Sequence, residues 1–558
     1  MDNRIESGRS GKCLLRILAV VLILVVEVPF LFFIAGDAQV HLAVAESFVH
    51  GHPFQYNLGD PFVMASSSPF WTMVLIGLFH VFGDLTPLAL KAVSLLCWAG
   101  ASYLLWKVVT EVWQWVRWKC VVILLIWLTN TAVVANALGG LENVLTALQL
   151  LLIYLICART TDNFSWQRSL GLGLLLGWAI LTRVDSGFFA CICVCLFFLG
   201  KFLSARAQRK TIVAQFVFVA LLSGLVILPW YFYQHFVTGK LVSDSALARL
   251  YGGRRTSWAI VNDHLYFHPK ALFSLVTVFM PLTLGALLTF YKWGRNLFRS
   301  RERFEAQLSV TYATFAAVTI LGVGILFYTF VVGADHFGRY FIPIFPFFFI
   351  LGFQGLWTLY EDLSEKRRWL AKCMLSSMVC YLLLGSGVDY YRRVVLRDQY
   401  SPDLLKVVAD HRDRVGYTDR YLAELGVPTT NHVNVAMIEV QLRFYVDDRI
   451  TILSLDGRTS AQLLKYIDRT SGVPDFRGYF EETRPDFVQF GNWCGEERGW
   501  AARFRLQREL SNLLCEWEQR ASAMKIGDGF DWNGNRVVLV MPDTVRILWQ
   551  LSPKASAS

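Results

Sequence analysis

The stretch GDAQVHLAVAESFVHGHPFQYNLGDPFVMASSSPFW, Gly36 to Trp71, follows the first apolar run of the chain and decides how the rest is read. It sets an aspartate, Asp37, at the mouth of a membrane segment, and no Lys or Arg occurs between Arg16 and Lys91. An ionisable residue at a membrane boundary points to function before it points to packing. Lys and Arg collect on the cytoplasmic side of a membrane protein, so a long basic-free loop after the first span is predicted to lie outside.

Working outward, the 558 residues are 55% hydrophobic and only 17% charged, with mean hydropathy +0.43, too apolar for a soluble protein with ordinary cores. The first run, Leu14 to Ala35, follows Arg4, Arg9 and Lys12 and carries Arg16 at its start. It is long enough to cross a hydrocarbon core of about 30 Å at about 1.5 Å per residue. A cleaved signal peptide fits less well, because its apolar region would be about 7–15 residues ending at small residues. Glu27 and Pro29 instead interrupt the outer end of this run, so an anchor is expected.

The net charge of +10 does not read as a nucleic-acid footprint. The basic residues sit in short runs between apolar segments, such as Arg117 and Lys119, Arg206 to Lys210, Lys292 to Arg303 and Lys366 to Lys372. That is the positive-inside pattern, with the lipid bilayer as partner and no nucleic acid. Most of the eleven cysteines lie in or beside apolar segments, where they serve as small hydrophobes. Only Cys494 and Cys515 fall in polar sequence, and a disulfide between them is open if that region is extracytoplasmic. No Cys/His spacing suits a metal.

Taking each basic cluster as cytoplasmic places spans near 14–35, 86–108, 119–137, 143–158, 169–184, 186–203, 212–234, 270–291, 307–332, 339–360 and 370–389, about eleven crossings. Pro69 to Gly83 is then a re-entrant or interfacial helix of the first outer loop, 36–85, since a full crossing there would invert every later basic cluster. The expected fold is an α-helical polytopic membrane domain, 1–389, followed by an extracytoplasmic domain, 390–558. In this tail, strand-length runs at Val433 to Ile438, Ile450 to Leu455, Phe487 to Phe490 and Val537 to Met541 mix with helical stretches at Ala461 to Ile467 and Ala501 to Met524. That mixture predicts an α/β or α+β fold.

The outer loops and turns carry acids and arginines that suit deprotonation of a hydroxyl while an anionic phosphate leaves. Asp37 is the candidate base, with His41 one helical turn away on the same side and Gln39, Glu46 and His50 nearly opposite. An N-cap is the plainer role for Asp37. Arg183 and Asp185 in LTRVDSG interrupt an apolar run and are close enough to form a simple ion pair. Glu142 follows two glycines in ALGGLEN, which permit a sharp turn and also a helix cap. Arg339, in DHFGRYFIPIFP with His336, could grip a phosphate in a fork or simply snorkel at the interface.

The order of GDAQVHLAVAESFVHGHPFQYN and SSSPFWTMVL, then GGLENVLTALQLLLIYL, AILTRVDSG, VTGKLVSDSALARLYGG and GRYFIPIFPFFFILG resembles the GT-C superfamily of polyprenyl-phosphate-sugar-dependent glycosyltransferases. It is similar to bacterial arabinofuranosyltransferases and to mannosyl- and galacturonosyl-type enzymes that modify lipopolysaccharide. VAMIEVQLRFYVDDRITILSLDG and YFEETRPDFVQFG resemble the outer domain of the same group.

The resemblance implies a GT-C-like enzyme of the bacterial inner membrane, its active site and tail facing the periplasm. It would move a sugar with inversion from a polyprenyl-phosphate donor to a hydroxyl of a glycan, glycolipid or protein. Asp37 would be catalytic, and His41, Glu142, Arg183, Asp185, Arg249, His336 and Arg339 would bind substrate. No cofactor is implied. Divalent metal serves some branches, but this chain lacks the acidic cluster that would hold one.

The chain departs from its likenesses in three places. Gly36 stands where many relatives have a second acid, Arg249 where many have lysine, and PFVMASSSP lacks a glycine and an aromatic found before the Ser-Pro. Two other classes fit the same pattern in outline. A transporter or flippase of a lipid-linked sugar would show broken spans in related halves. An O-antigen ligase or oligosaccharide transferase would show large basic outer loops, which Arg249, Arg254 and Arg255 keep open. A topology reporter fused after Ser558 is expected to respond as extracytoplasmic; a cytoplasmic response would mean that Pro69 to Gly83 crosses the membrane.

Overall fold

The computed structural model describes most of residues 20–244, 280–299, 308–327, 340–363, 404–466 and 475–491, with two strands at 528–530 and 536–540. The chain divides into two compact units. One gathers 1–33, 91–229 and 264–398; the other gathers 34–90, 230–263 and 399–558.

The first unit is helical. Helix α1 (residues 23–31) closes the first apolar run. Helices α2 (Gly36–Val49) and α3 (Pro69–Phe82) belong to the second unit, and most of α4 (Thr86–Lys107) belongs to the first. The helical series continues with α5 (Arg117–Thr129), α6 (Thr131–Ala137), α7 (Asn143–Arg159), α8 (Trp166–Thr182), α9 (Val184–Ser204), α10 (Arg209–Thr238), α11 (Met280–Arg299), α12 (Leu308–Leu326) and α13 (Phe345–Asp362).

Most of these match the predicted spans, with two differences. The 119–137 segment is two helices, because Asn130 leaves helical geometry and caps α6 by accepting from the Val133 N–H at 3.1 Å. The segment near 270–291 is described only from Met280 and runs on as helix to Arg299, into its basic cluster. The span near 370–389 lies almost wholly outside the described residues. Among the described residues, Pro69–Val112, Val184–Leu203 and Arg209–Thr238 are long and apolar enough to cross a membrane, with shorter apolar helices at Asn143–Arg159 and Tyr312–Leu326.

Helix packing in this unit relies on small residues and a few polar clasps, as expected where apolar surroundings give helices little hydrophobic reason to associate. In α7, the buried Tyr154 hydroxyl donates to the Ala313 carbonyl of α12 at 2.9 Å, and Gln149 Nε2 donates to Thr182 Oγ1 of α8 at 3.0 Å. Ser223 of α10 donates to the Gly173 carbonyl of α8 at 2.9 Å. The tightest approach joins α11 and α13. A methyl group on Gly285 or Gly355 would fall inside the facing helix's backbone, and one on Gly352 would lie 2.6 Å from the Leu282 carbonyl.

Aromatics and cations meet where the sequence puts a basic cluster. Lys119 Nζ stands 3.8 Å above the Trp357 ring, which packs edge-on against Trp118.

The second unit combines α2 and α3 with α14 (Leu404–Arg412), α15 (Arg414–Glu424) and a five-stranded mixed sheet. Its strands are β1 (Val433–Met437), β2 (Ile450–Ser454), β3 (Phe487–Gly491), β4 (Asp528–Phe530) and β5 (Arg536–Val540), in the order β2-β1-β3-β5-β4. Strand β1 pairs in parallel with β2 and β3, and β5 is antiparallel to β3 and β4.

The short helix α16 (Phe476–Thr483) leads into β3, capped by Asp475 and ended by Arg484 in left-handed geometry at φ 42°. Four of these strands begin within one residue of the predicted apolar runs. The helical stretch predicted at Ala501 to Met524, with Cys494 and Cys515, lies outside the described residues, as does most of Ala461 to Ile467.

Strand β2 is an edge, and an exposed edge invites unwanted pairing. Here Asn57, from the segment between α2 and α3, meets it. Asn57 Nδ2 donates to the Ile452 carbonyl at 2.9 Å, and the Ile452 N–H donates to Asn57 Oδ1 at 3.0 Å, so one side-chain amide occupies the place of a strand neighbour.

Gly355→Val is expected to push α11 and α13 apart and cost at least about 1–3 kcal/mol. The loss should appear as a lower thermal midpoint in detergent. Gly224→Ala serves as the contrast, since nothing lies within 4 Å of its added methyl and no loss is expected.

Candidate functional site

Helix α2 begins at Gly36, and its cap position is Ala35, in extended geometry with no side chain to offer. Asp37 is therefore not the N-cap. It lies in the first turn, where the amide ends of the helix favour a carboxylate. One turn on, His41 is buried, with Nδ1 3.1 Å from Ser66 Oγ. Ser66 also accepts from Thr72 Oγ1 at 2.8 Å and from the Ser68 N–H at 3.2 Å. The SSSP run thus makes a small hydroxyl network at the start of α3, where Pro69 opens the helix without needing an N–H. Through His41, the first turns of α2 are tied to that network.

Farther along α2, the buried Glu46 meets Arg414, which ion-pairs to Oε2, and His411, whose Nε2 lies 3.3 Å from Oε1. His411 in turn stacks on Phe444 at 4.2 Å between ring centres. Burial works to raise the Glu46 carboxyl, but contact with His411 and the charge of Arg414 outweigh it and hold the group at about 2. Arg443 adds a second tie from the tail, donating through Nε to the Tyr56 carbonyl at 3.1 Å.

The first unit holds a separate cluster. Gly140 adopts φ 81°, a left-handed turn that an L side chain would strain, and this delivers Glu142 to the mouth of α7. Glu142 opens that helix, since its carbonyl accepts from the Thr146 N–H at 3.0 Å. Its side chain is spent elsewhere, because Arg183 NH1 donates to Oε1 at 2.6 Å. Arg183 ends α8 and forks onto Asp185 with Nε to Oδ1 at 2.9 Å and NH2 to Oδ2 at 2.8 Å.

The Tyr340 ring lies 5.3 Å from the Arg183 guanidinium. The expected Arg183–Asp185 pair is present, and Glu142 joins it. Arg249, His336 and Arg339 lie outside the described residues. Among the described residues, no group of three His, Cys, Asp or Glu side chains could hold a metal ion.

No protein-family model and no curated protein matches the chain in sequence. Solved structures match in fold. The oligosaccharyltransferase of Archaeoglobus fulgidus, crystallised with zinc and sulfate, is 12% identical, with 94% of this chain and 72% of that one covered at a TM-score of 0.51. Its apo form matches at 11% identity over 85% and 69% of the two chains, at a TM-score of 0.50. The chain has a GT-C fold. ArnT from Cupriavidus metallidurans bound to undecaprenyl phosphate is also similar, at 11% identity and a TM-score of 0.49, covering 95% of this chain and 98% of that one.

Sequence reading missed one polar feature of this chain altogether. Lys91 was read only as the end of the basic-free stretch, yet it is buried in α4. Its Nζ donates to the Phe30 carbonyl at 3.1 Å and to the carbonyls of Phe33 and Leu138. The signal was present, since a lone lysine inside a predicted span must find partners there.

The Glu46 assembly makes a pH prediction. A carboxyl held at about 2 against an ordinary 4.5 adds stability that is complete above about 4.5 and is lost as pH falls through about 2. Its share of the acid slope is at most about 1.4 kcal/mol per pH unit. Glu46→Gln should lower stability at pH 7 by about 3 kcal/mol, because it removes the carboxylate that the partly buried Arg414 and the buried His411 both meet. The same change should flatten the acid limb of the unfolding curve between pH 4.5 and 2 relative to wild type. An unchanged acid limb in the variant would remove Glu46 as the source.

Proposed function

We propose that this chain is an inverting glycosyltransferase that moves a sugar from a polyprenyl-phosphate donor to a hydroxyl of a cell-envelope acceptor on the outer side of the membrane. The observation that carries the reading is the setting of Asp37. It stands in the first turn of α2, in the basic-free loop after the first span, one turn from the buried His41 network. Support also comes from the GT-C fold and from the ordered sequence likeness running through most of the chain. The same reading takes about eleven spans, with the first outer loop and the tail from about 390 on the periplasmic face of the inner membrane.

In the reaction, the acceptor oxygen attacks the anomeric carbon opposite the phosphate. Asp37 takes the hydroxyl proton as the new C–O bond forms. The old bond to phosphate breaks with its electron pair, and polyprenyl phosphate leaves as an anion. Basic residues carried by the later outer loops, Arg249 and Arg339, stabilise that charge. His41, Glu142, Arg183, Asp185 and His336 are the remaining substrate-binding residues. Arg183 is already shared by two carboxylates, so its first task is to hold the turn that presents them.

A second reading takes an oligosaccharide rather than a single sugar as the transferred group, which the fold shared with an oligosaccharyltransferase favours. An in-membrane assay separates the two by comparing synthetic polyprenyl-phosphate sugars with polyprenyl-diphosphate glycans. With the accepted donor, Asp37→Asn should remain folded and lose transfer by about 100-fold, the scale of a lost general base. Transfer near the wild-type rate would take the catalytic role away from Asp37.

A further inference from the structure

We propose that Lys91 is a positioning residue for the transfer reaction. A single ammonium fixes, through backbone carbonyls, the chain leading into Asp37 and the chain leading into Glu142. An ammonium has three N–H donors and no acceptor, and here three carbonyls take them. Phe30 lies in the last turn of α1, and Phe33 follows that helix closely. Leu138 is the residue on which α6 ends. The last carbonyls of a helix have no partner within it and carry the negative end of its dipole, so a cation there answers both needs.

The consequence lies in the spacing. Phe33 and Asp37 are four residues apart in the chain, and so are Leu138 and Glu142. One side chain therefore sets the starting point of both acid-bearing segments. The burial of Lys91, 5% exposed, and the Phe33 ring 5.9 Å from its Nζ keep the ammonium away from water that would compete for its bonds. Lys91 acts on both acids through backbone geometry. A displacement of about 1 Å at a reacting group can cost about 100-fold in rate.

The catalytic part of this proposal rests on the glycosyl-transfer reading, whereas the clamp can be measured without substrate. Hydrogen–deuterium exchange would compare wild type with Lys91→Met in detergent. Exchange should rise about tenfold at amides of 34–40 and 139–143, while the α11–α13 crossing stays as protected as in wild type. In the transfer assay, kcat should fall by about 100-fold with KM for the polyprenyl donor changed less than about threefold.

Lys91→Arg keeps the charge but replaces a compact ammonium by a planar fork, and carries the same two measurements if the methionine variant does not fold. It should loosen both segments less. Unchanged exchange in either segment, or loosened segments with undiminished kcat, would overturn the proposal. A wild type that transfers no polyprenyl-linked sugar would instead sink the transfer reading, while exchange still reports on the clamp.

Discussion

A charge placed among apolar helices must be met locally, by an opposite charge or by the ends of helix dipoles. This chain meets the requirement at several points, two of them at helix ends. Lys91 gathers carbonyls from the ends of two helices. Glu27, inside the first apolar run, accepts from Trp98 Nε1 at 2.9 Å, and Trp98 stacks on Trp127 at 4.7 Å. Arg183 collects Glu142 and Asp185. The Lys91 and Arg183 solutions use interruptions of regular structure, where helix ends offer carbonyls and turns bring side chains together. The break at Asn130 and the left-handed Gly140 provide such ends within one short stretch.

What could be read from the sequence follows from how local each signal is. Apolar runs between basic clusters marked nearly every described helix of the first unit, since length and hydropathy belong to single segments. The tail's strands were visible for the same reason: Val433, Ile450 and Phe487 begin short apolar runs, and each begins a strand. Helix α16 was missed because FRGYFEET has a strong turn-former and no long apolar face, and its Asp475 cap shows only in three dimensions. Partnerships were the least visible. Nothing in the spacing of Asn57 and Ile452 says that an amide will complete a sheet edge 395 residues away. Nor does Glu46 alone announce Arg414.

Within the candidate residues, helical neighbours were legible and partners from distant turns were not. Asp37 and His41 were paired by helical spacing, and the helix is there. The Glu142–Arg183–Asp185 assembly needed the fold, because Glu142 and Arg183 come from different turns separated by two helices.

These partnerships bear on which acid can take a proton. A carboxylate gripped by a guanidinium has its charged form stabilised and is a correspondingly weak base. Glu46 shows this directly, held at about 2 by its neighbours on the tail. Glu142 and Asp185 share one arginine in a fork that a proton would disrupt. Each of these three acids thus serves a contact that protonation would undo, and a base that breaks its own scaffold on every turnover is a poor choice.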